Sequence, residues 1–178
     1  VLSYSDWAKK VIDEQSGGSV NTICSASPSA SEEYFMIEDK AAAKQNLGFP
    51  PDCKIIGSVM RNQRRKLFPT LFEAFSKYLK KSGDTKTFLH CHTSFPDGGW
   101  DFGELLHKHE ISSRVFFTYV CSNKECQSVE ISKFNDARKS CNQCKQFTST
   151  QPSVSNGVSD DILGKIYNMY DLYVQCAN

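Results

Sequence analysis

The chain has 178 residues, enough for one domain or for one domain with an insertion. Its 21 basic and 20 acidic residues leave a formal net charge of +1, which is too balanced for a protein whose main partner is nucleic acid. Hydrophobic residues make up 39% of the chain, so a real core is expected, and no apolar run approaches the ~20 residues of a membrane span.

The cysteine content and the first residues favour a reducing, cytoplasmic setting. Eight cysteines could indicate secretion, but a core of this size does not need disulfide bonds to fold. The N-terminus lacks the basic and apolar regions of a signal peptide. Because the chain begins with Val1 and stops just after an apolar run, we expect it to be part of a longer protein.

Residues 1–50 are predicted to form N-terminal elements and a connection that lead into the main domain. A short amphipathic helix is capped by Ser5 or Asp6, and two glycines end it. Small and polar residues farther along indicate a linker. The predicted elements are a helix at 5–14, a strand at 20–24, a linker at 25–31 and a helix at 40–47.

Residues 51–178 are predicted to form an α/β domain. Apolar runs typical of strands alternate there with amphipathic stretches typical of helices. This alternation predicts βαβ units, and hence a Rossmann-like parallel sheet with helices on its faces. The predicted strands are 54–60, 87–92, 114–120 and 172–176, and the predicted helices are 69–81, 101–109 and 160–170.

A cationic turn joins the first of these strands to its helix. This turn, residues 61–66 and called the basic turn below, carries Arg61, Arg64, Arg65 and Lys66. Pro69 suits the first helical position, and a helix N-terminus attracts phosphate through its free N–H groups and its dipole. Ligands of parallel sheets bind at the carboxyl ends of the strands, where this turn lies. The basic turn is therefore a candidate anion site, although a solvated basic loop explains the same residues equally well.

Four cysteines interrupt the alternation, within an insertion predicted at 120–150. Cys121 and Cys126 form one pair, and Cys141 and Cys144 form a C-x-x-C pair. Two such pairs separated by a short polar segment are typical of a zinc ribbon, in which the metal supplies folding energy that a small core cannot. Disulfide bonds and free thiols stay as alternatives, because the first pair is more loosely spaced. Four sulfur ligands would leave no open position for water, so we expect a structural zinc rather than a catalytic one.

Two histidines share one face at the end of the strand predicted at 87–92. We interpret His90 and His92 as structural histidines, because a single His-x-His pattern is weak support for a metal site. The alternative, in which either one donates a hydrogen bond to a ligand at the carboxyl edge of the sheet, stays open. Residues 97–100 predict a turn whose glycines let a ligand approach the backbone. No Ser-His-Asp arrangement and no general acid–base pair can be identified.

Three stretches of the alternating region have the order of motifs found in one large family. They are Ile56 to Arg61 with the Lys66 turn and the Leu-x-x-Ala-Phe helix after it, the strand Val115 to Val120, and the segments Gly157 to Leu163 and Tyr167 to Val174. In this order they resemble the donor-binding half of retaining GT-B glycosyltransferases, which use nucleotide-activated sugars. Residues 5–37 are similar to the connection between the two domains of that family. The resemblance implies that the predicted sheet is half of a GT-B fold.

The resemblance also implies a donor site at the basic turn. By position, Arg61 and Lys66 would hold the diphosphate of a nucleotide sugar, next to Arg65. They would stabilise the negative charge that grows on the leaving nucleoside diphosphate. Tyr119 and Val120 would lie near the base. The cysteine insertion is unusual for the family, and its position would let it cover the base.

Catalysis by such a protein would need groups outside this chain. Leu67 stands where the family has a glycine after Lys66, so the backbone approach to phosphate is expected to differ. The family's paired glutamates would follow Asn178, so no catalytic residue is expected here. The chain alone is expected to be inactive, with the remainder of the parent transferase as its partner. Two other functions fit the sequence: a non-enzymatic zinc-ribbon and Rossmann-like module that binds a nucleotide, protein or nucleic acid, and a small nucleotide or phosphate sensor.

Overall fold

The structure is a computed structural model that describes residues 1–27, 29–30, 32, 34–37 and 39–177. The chain divides into two compact units, Val1–Tyr34 and Phe35–Asn178. The linker predicted at 25–31 falls in the first unit, and its residues Pro28 and Ser31 lie outside the described residues. Within the described ranges, no helix is both long enough and apolar enough to cross a membrane.

The first unit is a small parallel pair of strands with one helix. It contains β1 (Leu2–Ser3), α1 (Asp6–Gln15) and β2 (Cys24–Ser25), and β1 pairs with β2. The Ser5 hydroxyl caps α1 by accepting a hydrogen bond from the Ala8 N–H at 3.1 Å, which confirms the predicted helix start. No side chain of α1 is buried in the structure.

The second unit is an α/β domain with one mostly parallel sheet. Its strands follow the order β6-β5-β4-β3-β8, in which β3, β4, β5 and β8 are parallel. This confirms the predicted α/β architecture with flanking helices. The elements are α2 (Lys40–Asn46), β3 (Lys54–Val59), α3 (Phe68–Ser82), β4 (Thr87–His92), α4 (Phe102–Lys108), β5 (Val115–Cys121), β6 (Val129–Lys133), β7 (Ser149–Thr150), α5 (Asp160–Asn168) and β8 (Leu172–Tyr173).

The direction in which the sheet is built reverses at β3. The chain runs outward through β3, β4 and β5, and then returns to place β8 on the other side of β3. Such a reversal leaves a crevice at the carboxyl ends of the strands, where open α/β sheets bind their ligands. The topology therefore marks the carboxyl edge near β3 as the first place to look for a site.

The cysteine insertion extends the sheet instead of forming a separate ribbon. Its strand β6 pairs antiparallel with β5 from Phe116 to Val120, so it becomes the edge strand. Its second strand, β7, pairs antiparallel with Val120 and Cys121, beyond the part of β5 that pairs with β4. The insertion is thus hydrogen-bonded to the domain core along both of its strands.

Two apolar clusters cover the two faces of the sheet. Alternate residues of a strand point to opposite faces, so each strand contributes to both clusters. The first cluster joins β4 and β5 to α3 and α4, and it includes Phe68, Leu71, Phe72, Phe75, Leu89, Phe102, Leu106, Phe117 and Tyr119. The second cluster lies on the α5 side, and it includes Phe49, Cys53, Ile55, Ile166, Met169 and Tyr170.

Asp171 anchors strand β8 beside β3. Its carboxylate accepts a hydrogen bond from the Ile55 N–H at 2.7 Å and pairs with the Lys44 ammonium at 2.8 Å. The Lys44 residue is only 5% exposed, so this ion pair is largely removed from water on the lysine side. A single carboxylate therefore connects α2, β3 and the start of β8 at the amino edge of the sheet.

Substitution of Gly57 by alanine is expected to destabilise the domain. The Tyr170 ring lies against Gly57 in β3, and a Cβ there would be 2.2 Å from the Tyr170 Cδ2 atom. The ring or the strand would have to move, so we expect Gly57→Ala to lower the free energy of unfolding by about 3 kcal/mol. Urea denaturation followed by circular dichroism measures the change.

Gly157→Ala is the matched control for this substitution. A Cβ at Gly157 would have its nearest neighbour at 3.8 Å, an ordinary van der Waals contact. We expect this variant to remain within about 0.5 kcal/mol of the wild type. Equal midpoints for Gly57→Ala and Gly157→Ala would contradict the packing of Tyr170 on β3.

Candidate functional site

An open pocket of about 360 Å³ lies at the carboxyl edge of the sheet. It is bounded by the residues that follow β3 and β4 and by the segment that leads into α5. The lining residues are Val59, Met60, Arg61, His92, Thr93, Ser94, Pro152, Ser153, Val154, Gly157, Val158 and Leu163. The pocket therefore occupies the place where the topology of the sheet predicts a ligand site.

The pocket has apolar walls and a few polar groups that converge on it. Arg61 supplies a positive charge, and His92 supplies a partly buried imidazole. Thr93 is 3% exposed, and its hydroxyl has no hydrogen-bond partner in the described part of the chain. A buried hydroxyl without a partner is unfavourable, so this group is suited to a ligand or a water molecule. The pocket can hold an organic molecule that carries an anionic or hydrogen-bonding end.

Arg61 is the one predicted donor-binding cation that lines the pocket. Its guanidinium donates two hydrogen bonds to Asp97, Nε to Oδ2 and Nη2 to Oδ1, both at 2.9 Å. Ser94 also donates to Asp97 at 2.6 Å. The hydrogen bonds between the two side chains raise the pKa of Arg61 and lower the pKa of Asp97. Arg61 is thus fixed in place at the pocket with its charge partly balanced.

Arg65 and Lys66 lie outside the pocket lining. The Arg65 Nε–H donates to Gln63 at 3.2 Å. At the N-terminus of α3, the Leu67 N–H donates to the Cys176 carbonyl at 3.1 Å and the Phe68 N–H donates to the Lys66 carbonyl at 2.9 Å. Two of the N–H groups that were predicted to bind phosphate are therefore already hydrogen-bonded to carbonyl groups of this protein.

The basic turn is clamped to the loop that follows β4. Asn62 is 1% exposed, and its side-chain amide donates to the Trp100 carbonyl and accepts from the Trp100 N–H, both at 2.9 Å. The Trp100 indole donates to the Lys66 carbonyl at 2.8 Å, and Arg64 lies 4.7 Å from the centre of that ring. A Cβ at Gly99 would be 2.3 Å from Asn62, so this glycine allows the two loops to meet. The sequence predicted that a ligand could approach the backbone at residues 97–100. In the structure, Asn62 makes this close approach at Gly99.

Tyr119 and Val120 are buried at 0% and 2% exposure. Tyr119 faces the α3 and α4 side of the sheet, and its hydroxyl donates to the Lys133 carbonyl at 3.1 Å. The Lys139 ammonium lies 4.0 Å from the ring centre, and burial raises the pKa of Tyr119 to about 12. Neither side chain is part of the pocket lining. The resemblance implies that Tyr119 and Val120 lie near the nucleotide base. In the structure they belong to the core, and Tyr119 contacts the insertion.

A buried chain of polar side chains leads from the core to the pocket. The Nδ1 of His90 lies 2.8 Å from the Tyr170 hydroxyl, and its Nε2 lies 3.0 Å from the Thr118 hydroxyl. The same Thr118 hydroxyl lies 3.1 Å from Nδ1 of His92, which lines the pocket. Burial lowers the pKa of His90 well below its usual value and lowers the pKa of His92 to about 4. Both imidazoles are therefore neutral near pH 7.

Sequence reasoning singled out the two histidines but missed Thr93, Thr118 and Tyr170. Thr93 follows the His-x-His pattern directly, so the polar run at the end of β4 was a usable local signal. Thr118 and Tyr170 meet His90 only through the strand register and the packing of α5. No local pattern contains that information.

The four cysteines of the insertion converge on one point. Their sulfur atoms all lie within 4.8 Å of one another, with Cys121 and Cys144 at 3.7 Å and Cys126 and Cys141 at 3.8 Å. A tetrahedral site with Zn–S bonds of about 2.3 Å has sulfur atoms about 3.8 Å apart. These separations are much longer than the roughly 2.05 Å of a disulfide bond. The quartet could therefore bind a metal such as zinc.

The surroundings of Cys141 favour its thiolate, the form that binds metal. The Ser128 hydroxyl lies 3.0 Å from the Cys141 sulfur, and the Gln143 N–H points to the same atom at 3.4 Å. The hydrogen bond from Ser128 and those from the backbone lower the pKa of Cys141 to about 6. Gln127 and Lys145, which follow the second cysteine of each pair, have φ values of 46° and 60°. Both pairs thus end in the same left-handed turn, which bends the chain around the sulfur atoms.

Comparison with known proteins does not assign this chain. No model of a protein family matches the sequence, and a search of curated proteins finds no match. The function of the chain must therefore be inferred from the pocket and from the quartet.

Proposed function

We propose that this chain binds a nucleotide sugar in the pocket at the carboxyl edge of its sheet, as the donor-binding part of a glycosyltransferase. The observation that carries the proposal is the position of this pocket beside the reversal of the sheet, with Arg61, His92 and Thr93 among its lining residues. The sequence resemblance supplies the class of ligand. The polar groups provide a place for its diphosphate.

Arg61 is the residue to which we assign the diphosphate. A guanidinium has five N–H donors, and Asp97 takes two of them, so three remain for phosphate oxygens. Asp97 would then hold the Arg61 guanidinium in a fixed orientation. In a transfer reaction, Arg61 would stabilise the charge that develops on the leaving nucleoside diphosphate. The apolar wall formed by Val154, Val158 and Leu163 would contact the uncharged part of the ligand.

Loss of the Arg61 side chain is expected to weaken nucleotide binding by ten- to a hundred-fold. Hydrogen bonds to a charged group are worth about 1.5–3 kcal/mol, which corresponds to about that range. Isothermal titration with UDP, GDP and ADP, and then with their sugars, would compare the wild type with Arg61→Ala. Lys66→Ala, tested in parallel, would show whether Lys66 also binds the diphosphate, as the resemblance implies.

Arg138→Ala is the matched control for Arg61→Ala. It removes the same charge from an exposed arginine of the insertion, outside the pocket lining. We expect its affinity to remain within about threefold of the wild type, because exposed charges far from a ligand are screened. Equal losses in Arg61→Ala and Arg138→Ala, or no binding of any nucleotide by the wild type, would overturn the proposal.

We also propose that the cysteine quartet binds one structural zinc ion. The sulfur separations of 3.7 and 3.8 Å carry this proposal, because they fit a tetrahedral metal site. All four ligands would come from the protein, so the ion would support the fold and would not activate water. Strand β7 leads directly from the quartet to Pro152, Ser153 and Val154 of the pocket wall. The metal would therefore also fix one side of the ligand pocket.

A further inference from the structure

The buried polar chain contains four side chains whose protons must be placed: Tyr170, His90, Thr118 and His92. Among the described residues, the Tyr170 hydroxyl has one hydrogen-bond partner, the Nδ1 atom of His90. The Thr118 hydroxyl has two partners, Nε2 of His90 and Nδ1 of His92. Tyr170 is 5% exposed and Thr118 is fully buried, so both hydroxyls are removed from bulk water. The donor-to-acceptor direction of these hydrogen bonds is therefore set by the need to give every buried O–H and N–H group an acceptor.

One arrangement meets this need. The Tyr170 O–H donates to Nδ1 of His90, which places the His90 proton on Nε2, and that proton is donated to Thr118. The Thr118 O–H then donates to Nδ1 of His92, and the His92 proton lies on Nε2. The reverse direction leaves the Tyr170 O–H without an acceptor, and donation by both histidines to Thr118 leaves the Thr118 O–H without one. Each of these alternatives leaves a buried hydroxyl hydrogen without an acceptor and is therefore disfavoured.

The Nε2–H group of His92 is the free end of this chain. The Nε2 atom has no hydrogen-bond partner within the described ranges, and His92 lines the pocket. Thr93 and Arg61 line the same pocket, so the His92 imidazole and the Arg61 guanidinium are grouped where the strands end. No carboxylate is among the lining residues. A phosphate oxygen is the acceptor that suits such a group.

We propose that the chain Tyr170–His90–Thr118–His92 locks His92 as the neutral Nε2–H tautomer and directs this N–H to a phosphate oxygen of the ligand in the pocket. The ligand half of this inference rests on the proposed nucleotide-sugar function, whereas the tautomer half does not. His92 would contact the ligand, and Thr118, His90 and Tyr170 would be positioning residues. Because a neutral imidazole can only donate from its protonated nitrogen, a locked tautomer presents a donor to every ligand molecule that enters.

The tautomer can be measured without any ligand. Long-range ¹H–¹⁵N correlation spectra of the full chain, labelled with ¹⁵N-histidine, distinguish a protonated ring nitrogen from an unprotonated one. We expect His92 to show a protonated Nε2 and an unprotonated Nδ1 at pH 7. Thr118→Val should change this to a mixture of tautomers, and Thr118→Ser, which keeps the hydroxyl, should restore the wild-type spectrum. A protonated Nδ1 in the wild type, or a spectrum that Thr118→Val does not change, would overturn the inference.

The contact with phosphate is tested by titration of His92 variants with UDP, GDP and ADP. His92→Leu should bind about tenfold more weakly than the wild type, whereas His92→Gln, whose amide can place an N–H near the position of Nε2, should remain within about threefold. Thermal unfolding of both variants shows whether they are folded. Equal affinity of His92→Leu and the wild type would overturn the ligand half. Failure of all three nucleotides to bind the wild type would instead count against the proposed function. The NMR spectrum of His92 would still decide the tautomer half of the inference.

Discussion

Removal of zinc from the cysteine quartet is expected to disorder the insertion and to destabilise the domain. Structural zinc contributes about 10–16 kcal/mol of apparent binding free energy in zinc-finger peptides at pH 7. The strand β6 has no fully buried residue, so the insertion has little apolar burial to replace that contribution. Because β6 and β7 both pair with β5, we expect the domain to lose several kcal/mol of unfolding free energy on chelation.

The first measurement for this prediction is metal content. We expect one zinc ion for each chain in the purified wild type, and little in Cys141→Ser. Cys24→Ser is the matched control, because Cys24 is exposed and lies outside the quartet. Hydrogen exchange before and after chelation should then show loss of protection in β6 and β7, with β3 and β4 still protected. Equal metal content in Cys141→Ser and Cys24→Ser would contradict the zinc site.

Chelation is also expected to weaken ligand binding. The quartet and the pocket wall at residues 152–154 are joined by β7, so disorder in one should reach the other. The chelated protein and a variant that lacks residues 121–145 should both bind nucleotides less tightly than the zinc form. Unchanged nucleotide affinity after the deletion would show that the insertion does not shape the pocket.

A fall in pH from 7 to 5 is expected to remove about 2 kcal/mol of stability through His92, and His90 adds to this loss. Burial lowers the pKa of both histidines in the folded protein, to about 4 for His92. An unfolded histidine has a pKa of about 6.5, so below that pH the unfolded chain binds protons that the folded chain does not bind. The stability that the neutral imidazoles provide is therefore complete above pH 6.5 and is lost as the pH falls towards 4, and the loss through His92 is about 2 kcal/mol by pH 5.

Urea denaturation at pH 7 and at pH 5 measures this loss. Protons also compete with zinc for thiolates at low pH, so the comparison between variants separates the two effects. His92→Gln removes one of the two titrating groups, and we expect its difference in unfolding free energy between the two pH values to be smaller by about 2 kcal/mol. His107→Gln replaces an exposed histidine of α4 and should keep the full difference. The same pH dependence in both variants would contradict the assignment to His92.

The local pattern of the sequence predicted most of the elements and left their ends uncertain. The predicted helix at 69–81 is α3 (Phe68–Ser82), and the predicted strand at 87–92 is β4 (Thr87–His92). The last strand, predicted at 172–176, is shorter, because only Leu172 and Tyr173 pair with β3. Periodicity is a property of residues a few positions apart, so it specifies an element well and its tertiary partners poorly.

The basic turn shows where this limit affects function. Its charges and its place at the carboxyl edge could be predicted from sequence. The partners of those charges could not, because Asp97, Trp100 and Cys176 are distant in the chain and become neighbours only when β4 and β8 are placed beside β3. The result is that Arg61 reaches the pocket, whereas Arg65 and Lys66 do not.

The sequence by itself determined the α/β alternation, the grouping of four cysteines and the position of a cationic turn after the first strand of the sheet. Those features follow from composition, spacing and short-range periodicity. Only the tertiary structure decided that the four sulfur atoms converge and that the hydroxyl of Tyr170, 80 residues from His90, lies within hydrogen-bond distance of its Nδ1 atom. The physical reason is that a buried polar group must find its partner wherever the packed chain places one, and packing brings together residues that no local pattern connects.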